Sequence, residues 1–269
     1  MIFSTDDTMV MGILNLTEDS FYDGGKYKNK SQIIEHCKKM LDDGAKIIDI
    51  GAQTSKPGSN ILPAKSEIKK LLPVIELLKT EFPNIIISID TFWSETAEKC
   101  IQYGADIIND ISAGNIDNKM FNTISKLQIP YIIMHMKGIP KTMQKKPMYV
   151  NVVDEIIDFF RKKIEKLHQK DIYNIVIDPG FGFGKTLEQN YEILNNLAKF
   201  KEFNLPVLVG TSRKSMIYKI LDTTPENSLN GTSITNTLAL QKNVNILRVH
   251  DVKEAMECIK ITKFAKNNM

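Results

Sequence analysis

The stretch VVDEIIDFFRKKIEKLHQKDIYNIVID, residues 152–178, decides the fold class because it holds one complete helix–strand unit. Its first part carries apolar side chains at helical spacing, with charged residues on the opposite side. These apolar residues are Val152, Ile156, Phe160, Ile164 and Leu167. Its last part, Ile175–Asp178, is apolar on both faces, which is typical of a buried parallel strand. The stretch therefore predicts an amphipathic helix followed by a strand of a buried sheet.

Units of the same kind run from one end of the chain to the other. The predicted strands are rich in Ile and Val and are bounded by Gly, Pro or Asp. They are Met9–Leu14, Lys46–Ile50, Ile85–Asp90, Asp106–Asn109, Tyr131–His135, Ile175–Asp178, Val207–Gly210 and Ile246–Val249. The longer stretches between them have helical spacing. In the second predicted helix, Pro73 would fit the first turns and break the middle.

About eight consecutive strand–helix units predict a (β/α)8 TIM barrel, an α/β fold, in one domain spanning residues 1–269. A doubly wound open sheet is the alternative fold. The barrel is favoured because the number of units fits it. In addition, no linker or low-complexity segment divides the chain.

The composition excludes several classes of protein. The chain is 42% hydrophobic and 25% charged, with a net charge of +3 and no basic stripe, so we expect no nucleic-acid partner. It shows no signal peptide, and no apolar run approaches the ~18 residues of a membrane span, so we expect no membrane partner. Cys37, Cys100 and Cys258 lie too far apart for a zinc site or a disulfide framework. We expect buried or half-buried free thiols and a cytoplasmic protein.

Only three of the 35 basic residues are arginines, namely Arg161, Arg213 and Arg248. The simple interpretation is a compositional bias toward lysine. Alternatively, an arginine marks a position where a planar fork is needed, because only that fork binds phosphate in a bidentate way.

The predicted strands end in polar residues, at the edge of a barrel where active sites form. These residues are Asn15, Asp49, Asp90, Asn109, Asp110, His135, Asp178, Ser212, Arg213, Lys214, Arg248 and His250. Any one of them could be a helix cap or a turn residue. Capping does not explain arginine, lysine and histidine within the set. The set therefore predicts a site for a polar, ring-shaped molecule together with an anion.

The anion is expected near the last strands, where barrels often bind phosphate. Arg248 and His250 flank the last strand, and Lys185 and Lys214 follow earlier strands. The side-chain oxygen of Asn15 is suited to join a Mg²⁺ that bridges phosphate oxygens. The alternative for His250-Asp251 is a cap on the last helix.

The segment Asp178–Thr186, DPGFGFGKT, resembles a nucleotide-binding loop but fits neither common motif. The earlier glycine of a P-loop falls on Pro179, and the glycine spacing does not match a dinucleotide fingerprint. We interpret it as a flexible, close-packed turn that lets a ligand ring approach the backbone. Phe183 would stack on that ring or pack on the barrel rim. Asp178 and Asp90 would suit the amino-pyrimidine edge of a pterin.

Eight strings, in order along nearly the whole chain, resemble the signatures of the dihydropteroate synthase family. They are MGILNLTEDSFYDGG (11–25), DIGA (49–52) with Pro57-Gly58, SIDT (88–91), IND (108–110), MHM (134–136), DPGFGFGKT (178–186), GTSRKS (210–215) and RVHD (248–251). Each string is weak alone, but the ordered set is highly specific.

The resemblance implies a barrel, usually a homodimer, that joins 6-hydroxymethyl-7,8-dihydropterin diphosphate to 4-aminobenzoate and releases diphosphate. It implies catalytic roles for Asn15, Asp90, Lys214, Arg248 and His250. The implied pterin contacts are Asp90, Asn109, Ile111, Met136, Asp178, Phe183, Gly210, Lys214 and Arg248. Asn15, Arg248 and His250 would hold the diphosphate, with Mg²⁺ at Asn15 as the cofactor. Phe21, Thr54, Ser55, Lys56 and Ser215 would line the aminobenzoate side, where sulfonamides would compete.

The chain departs from the family pattern in two loops. Glu18 stands where the family usually has Pro, and Gln53-Thr54-Ser55-Lys56 replaces the usual Glu-Ser-Thr-Arg. Lys56 keeps the positive charge but not the fork. The general lysine bias explains this change, and altered substrate or sulfonamide affinity is the alternative. We expect Lys56→Arg to be tolerated or helpful.

Three functions stay open from the sequence. The first is an active synthase. The second is a catalytically weak or inactive pterin-binding barrel, which the altered second loop supports. The third is a methyltetrahydrofolate corrinoid methyltransferase. It would need neither the first two loops nor Ser212-Arg213-Lys214-Ser215, so their presence counts against it.

Overall fold

The computed structural model describes residues 3, 5, 7–16, 28–53, 61–138, 143 and 147–268. Within them, strands alternate with helices along the chain. The strands are β1 (Met9–Asn15), β2 (Ile47–Gly51), β3 (Ile86–Asp90), β4 (Ile107–Asp110), β5 (Tyr131–Met134), β6 (Ile175–Asp178), β7 (Leu208–Val209) and β8 (Ile246–Val249). The helices are α1 (Lys28–Asp42), α2 (Ala64–Glu81), α3 (Ser94–Gln102), α4 (Met120–Leu127), α5 (Val152–His168), α6 (Leu187–Asn195), a 3₁₀-helix (Leu197–Phe203), α7 (Ser215–Tyr218), α8 (Leu229–Gln241) and α9 (Val252–Lys266).

The eight strands form one parallel sheet in the order β6-β5-β4-β3-β2-β1-β8-β7. The two outer strands meet through a parallel bridge between Ile177 and Val207. The amide of Ile177 also donates to the backbone oxygen of Pro206 at 3.0 Å. The sheet is thus nearly closed on itself, which confirms the (β/α)8 TIM barrel over the open sheet.

The register of the first four strands aligns their carboxyl ends. Asn15 pairs with Gly51, Gly51 with Asp90, and Asp90 with Asn109. Successive residues of a strand point to opposite faces, so these four positions share the inner face of the barrel. Three of the predicted site residues are therefore brought into one row by strand pairing alone.

The barrel has an apolar interior below this polar end and a larger apolar layer outside. The interior cluster contains Phe3, Met11, Ile47, Ile107, Ile132, Val176, Leu208 and Ile246, all buried. The outer layer lies between the strands and the helices. Helix α5 matches its prediction, since Val152, Ile156, Phe160 and Leu167 are buried in that layer. The Asn151 side chain caps it by accepting from the amides of Val153 and Asp154.

Two expectations about local structure need correction. Helix α2 continues through Pro73, so the proline does not break it. The missing N–H weakens one turn, but Leu71, Val74, Ile75 and Leu78 around it are buried and hold the helix on the barrel. Strand β7 is shorter than the predicted Val207–Gly210, because Val207 joins β6 only through an isolated bridge. Every strand end, including those of β7, lies within one residue of its predicted position.

The cysteines agree with the expectation from composition. Cys37, Cys100 and Cys258 are buried and free. Burial raises the pKa of the Cys37 thiol to about 12, so this thiol is protonated and unreactive at neutral pH. Among the helices that the structure describes, none is long and apolar enough to cross a membrane.

Candidate active site

A cavity of about 570 Å³ opens at the carboxyl ends of the strands. Predicted residues in its wall are Asn15, Asp90, Phe183, Gly210, Ser212, Arg213, Lys214, Ser215, Arg248 and His250. Apolar side chains at its rim form a separate cluster of Phe92, Ile111, Met134, Met136, Met143 and Phe183. The wall thus combines charged groups with an apolar side, as a pocket for a polar ring requires.

Arg248 lies at the centre of a charged network on β2, β3 and β8. Its Nε donates to Asp49 Oδ2 at 2.7 Å, and its Nη2 donates to Asp90 Oδ2 at 2.9 Å. Asn109 Nδ2 donates to the same Asp49 oxygen at 3.1 Å. Arg248 Nη1 donates to none of the described residues. Two arms of the fork therefore hold carboxylates.

The environment of Asp90 disfavours its charged form. Burial raises the pKa of its carboxyl to about 7; Arg248 opposes this rise, and Asp49 adds to it. The Asp49 side chain is fully buried, and its Oδ1 accepts no hydrogen bond from the described residues. Arg248 is thus the cation that stabilises two neighbouring carboxylates at once.

Lys214 and the segment after β6 form the opposite wall. Lys214 Nζ donates to the backbone oxygen of Phe181 at 2.7 Å and lies 4.8 Å from the centre of the Phe183 ring. Burial lowers the pKa of Lys214 to about 8, and the nearby Asp178 opposes that fall. Asp178 Oδ1 accepts from the amide of Gly180 at 2.7 Å. A cation, an aromatic face and a carboxylate therefore lie side by side.

His250 is held from the neighbouring loop by Ser212. Its Nδ1 lies 3.0 Å from Ser212 Oγ, and its amide donates to the same oxygen at 3.2 Å. Burial lowers the pKa of His250 to about 4, and Arg248 adds to this fall, so the ring is neutral near pH 7. The His250 ring lines the cavity and does not cap α9.

Arg213 and Asp251 connect the loop after β7 with the loop after β8. Arg213 Nε and Nη2 donate to the two oxygens of Asp251, at 3.0 and 2.6 Å. This is the bidentate geometry that only an arginine provides. Asp251 therefore does not cap the last helix either, although it is the residue before α9. By contrast, Arg161 is exposed and pairs with Asp158 and Glu202 on the surface.

Three polar residues near the strand ends face away from the cavity, contrary to expectation. Asp110 accepts from Tyr131 Oη at 2.6 Å and from the Ser112 and Gly114 amides behind the strand. His135 packs edge-on against Phe159 of α5. Lys185 is only 3% exposed and donates to backbone oxygens, so it is not an anion ligand. Side chains alternate across a strand, and these lie on the outer side or in the following turn.

Four predicted pterin contacts are buried beside the cavity rather than in its open wall. They are Asn109, Ile111, Met136 and Asp178, each at most 9% exposed. Asn109 is linked to the site by its hydrogen bond to Asp49. Ile111 and Met136 belong to the rim cluster, which includes the cavity residue Phe183. Glu18 and four predicted aminobenzoate contacts, Phe21, Thr54, Ser55 and Lys56, lie outside the described residues.

Sequence reasoning missed a role for Gln53, which also lines the cavity. Its Nε2 donates to the backbone oxygen of Leu62 at 2.8 Å, and its Oε1 accepts from the Leu62 amide at 2.9 Å. Trp93 Nε1 donates to the same Leu62 oxygen. The family glutamate at this position would be unable to donate, so the amide makes a two-bond contact that a carboxylate cannot. The glutamine at position 53, in place of the usual glutamate, was the feature of the sequence that could have indicated this role.

The oxygen donors of the site suit a Mg²⁺ that arrives with a phosphate ligand. A Cβ at Gly51 would lie 3.7 Å from Asn15 Oδ1 and 3.6 Å from Asp90 Oδ2, so both oxygens flank Gly51. Mg²⁺ is commonly bound by one or two protein oxygens, with phosphate oxygens and water completing the shell. Within the described ranges, no three His, Cys, Asp or Glu side chains form a metal cage. The described oxygen donors therefore fit an ion that would take most of its ligands from phosphate and water.

The fold and the site define a barrel enzyme with a pocket for a polar aromatic ring and an anion. The family described as "Pterin binding enzyme" matches residues 11–250, so the chain belongs to that family.

Its curated and structural relatives are more specific. The chain is 39% identical over 264 residues to the dihydropteroate synthase of Escherichia coli strain K12, which covers 96% of this chain and 93% of the relative. The Yersinia pestis dihydropteroate synthase in complex with a sulfonamide drug superposes with a TM-score of 0.92 at 36% identity, covering 98% and 96% of the two chains. The Clostridium difficile enzyme in the presence of pteroic acid gives 0.90 at 38% identity, covering 97% of each chain. Within its family the chain belongs with the dihydropteroate synthases, which are transferases.

Proposed function

We propose that the chain condenses 6-hydroxymethyl-7,8-dihydropterin diphosphate with 4-aminobenzoate to give 7,8-dihydropteroate and diphosphate, in folate biosynthesis. The main observation behind the proposal is that three kinds of binding group lie at one cavity. Carboxylates for the pterin edge, a cation over an aromatic ring, and an arginine–histidine pair for an anion all line it or lie directly beside it. Solved relatives with pteroic acid and with a sulfonamide drug support the same substrates.

The pterin is assigned to the region between Asp178 and the rim cluster. The 2-amino group and ring N–H of a pterin need two acceptors, and the Asp178 carboxylate presents them side by side. Phe183 offers its ring face to the pterin, and Lys214 lies over that ring. Asn109 and Asp90 complete the polar edge from β4 and β3.

The diphosphate is assigned to Arg248, His250 and Asn15. Arg248 has Nη1 to offer, because Nε and Nη2 already hold Asp49 and Asp90. When Ser212 donates to Nδ1 of His250, the ring keeps its proton on Nε2 and can donate it to a phosphate oxygen. Asn15 would hold a Mg²⁺ together with diphosphate oxygens, and the ion would neutralise charge on the leaving group.

Positioning and electrostatics carry the reaction. The carbon–oxygen bond to diphosphate breaks as charge develops on the leaving group, which Arg248 stabilises. The electron-rich pterin bears positive charge on its exocyclic carbon, and the neighbouring carboxylates favour that cation. The arylamine is neutral at pH 7, and its nitrogen attacks the exocyclic carbon as the bond to diphosphate breaks. The protonated amine that forms is acidic and loses its proton to water or to the released diphosphate, so neither a strong base nor a nucleophilic triad is required.

The aminobenzoate is assigned to the side of the cavity that Ser215 lines, at the start of α7. The remaining aminobenzoate contacts stay predictions, because Phe21, Thr54, Ser55 and Lys56 lie outside the described residues. A sulfonamide has an arylamine with the same geometry and is proposed to compete there. The solved relative bound to a sulfonamide drug supports this proposal.

The direct test measures diphosphate release by the purified chain. We expect release only when both substrates and Mg²⁺ are present. Lys214→Ala is expected to lower the rate by about two orders of magnitude, because it removes the cation beside Phe183 and Asp178. No diphosphate release from the unaltered chain, or an unchanged rate for Lys214→Ala, would contradict the proposal.

The alternative is a pterin-binding barrel with little or no synthase activity, which the Gln53-Thr54-Ser55-Lys56 departure favours. Titration calorimetry separates the two functions. A synthase is expected to retain aminobenzoate only after diphosphate is present. A pterin binder would take up the dihydropterin diphosphate, ignore aminobenzoate, and form no product.

The chain is also proposed to act as a homodimer, as the family resemblance implies. Helices α8 and α9 pack against each other and expose apolar side chains on one side: Ile234, Leu238, Ile261 and Phe264. A shallow groove between them is lined mainly by apolar surface and includes Cys258. Adjacent apolar residues of this size on a surface are typical of a protein–protein contact, and a second copy of the chain is the proposed occupant.

The dimer is tested by Ile261→Glu, which places a charge in the middle of the proposed contact. We expect sedimentation to shift from dimer to monomer with the barrel still folded, as judged by circular dichroism. Tyr173→Glu is the matched control, since Tyr173 is exposed to a similar degree but far from α8 and α9 along the chain. A chain that is monomeric before mutation, or one that stays dimeric with Ile261→Glu, would remove this surface from the proposal.

Two broader expectations stay proposals. Residues 1–269 are proposed to form one domain, because the barrel strands extend from β1 near the start to β8 near the end. A cytoplasmic location is proposed on the buried free thiols, which suit a reducing compartment.

A further inference from the structure

We propose that Lys185 is a positioning residue that holds the segment after β6 in the shape that the pterin side of the site requires. The proposal rests on the proposed synthase function and deepens it. Lys185 ends the Asp178–Lys185 segment, which we call the β6 turn, and it does not line the cavity. Its role follows from what its ammonium contacts.

The Lys185 ammonium is buried and donates to three backbone oxygens. Nζ lies 2.7 Å from the oxygen of Gly180, 3.0 Å from that of Phe183 and 3.2 Å from that of His135. Two of these oxygens belong to the β6 turn, and the third belongs to the segment after β5. An ammonium has three protons, so the three contacts use its full donor capacity. Lys185 therefore fastens the β6 turn to itself and to the neighbouring strand end.

Two glycines show how closely these segments approach. Gly180 and Gly184 both have left-handed φ values, +74° and +64°. A Cβ at Gly180 would collide with the backbone oxygen of His135, and one at Gly184 with that of Lys137. Close packing turns several carbonyl dipoles toward one point, which is favourable only with a cation between them. The Lys185 ammonium supplies that cation.

The β6 turn carries the groups that face the pterin. Its first residue is Asp178, whose Oδ1 is fixed by the amide of Gly180. The Phe181 oxygen receives the hydrogen bond of Lys214, and Phe183 supplies the ring beneath that lysine. Gly180 and Phe183, which direct these groups, are the residues whose oxygens Lys185 holds. Loss of the ammonium would therefore displace Asp178, Phe183 and Lys214 together.

The charge of Lys185 also supports the pterin side of the site, through its effect on Asp178. It is close enough to Asp178 to oppose the rise that burial causes in the pKa of that carboxyl. Burial lowers the pKa of Lys185 to about 7, and Asp178 opposes that fall. In its protonated form Lys185 is a second cation behind Asp178, and it favours the ionised acceptor that the pterin edge needs.

The test is Lys185→Met, which keeps an unbranched side chain up to the ε position and removes all three donors. We expect KM for the dihydropterin diphosphate to rise at least tenfold, with KM for aminobenzoate within about twofold of its original value. Lys185→Gln supplies a neutral amide NH2 with two donors and is expected to give an intermediate KM. Calorimetry with dihydropterin diphosphate checks the loss as a change in Kd at a temperature where both variants are folded.

Lys163→Met is the matched control. Lys163 also donates to a backbone oxygen, that of Ala113 at 2.7 Å, and to Asn115, but it lies on α5 outside the cavity. It is expected to lower Tm without changing KM for the pterin substrate. A folded Lys185→Met variant with unchanged KM and Kd would overturn the inference, as would equal losses for both substrates. Absence of activity and pterin binding in the unaltered chain would instead overturn the proposed function.

Discussion

Arg248→Lys is expected to lower kcat/KM for dihydropteroate formation by about a hundredfold, which corresponds to about 2.7 kcal/mol of transition-state stabilisation. Arg248 uses Nε for Asp49 and Nη2 for Asp90, and it has Nη1 left for the diphosphate. A lysine keeps one point charge and cannot span three directions from a planar group. Whichever carboxylate it contacts, the other carboxylate loses its ion pair with residue 248, and the leaving group loses a donor.

The measurement is steady-state kinetics at saturating Mg²⁺, with Arg161→Lys as the matched control. Arg161 makes only surface ion pairs, and its replacement is expected to change neither kcat/KM nor Tm measurably. Full activity of Arg248→Lys would show that the positive charge alone suffices at this position. In that case the rarity of arginine in the chain would carry no functional meaning, although the family membership would stand.

Asp178→Asn is expected to raise Kd for the dihydropterin diphosphate by about two orders of magnitude, with little loss of fold. The asparagine is able to keep its oxygen on the Gly180 amide, because that bond needs only an acceptor. Its amino group then occupies the position of the second carboxylate oxygen. There it meets an N–H of the pterin, so two donors face each other in a buried site.

The matched control for this substitution is Asp110→Asn. Asp110 is also a buried carboxylate at a strand end, but it faces away from the cavity. It accepts from Tyr131, the Ser112 amide and hydroxyl, and the Gly114 amide. Its replacement is expected to lower Tm and leave Kd for the pterin unchanged. If Asp178→Asn bound the pterin as tightly as the original chain, the pterin edge would have to be assigned to another acceptor.

Most of the fold, and the end of the barrel at which the site lies, could be predicted from the sequence. Short runs of Ile and Val alternating with amphipathic stretches predicted eight strand–helix units, and every strand boundary agreed within one residue. Parallel strands all end at one edge, so the polar residues that follow them were expected to converge. Asn15, Asp90, Lys214, Arg248 and His250 do meet in one cavity.

Only the tertiary structure decided which way each polar side chain points. Asp110, His135 and Lys185 follow strands just as the cavity residues do, yet they contact backbone groups or aromatic rings behind the barrel wall. The sequence also gave no sign that Arg248 holds Asp49 and Asp90, which precede it by 199 and 158 positions. Local patterns fix which residues form an element. The side of the barrel wall and the partner across it depend on register, turn geometry and closure of the sheet, and these are properties of the whole chain.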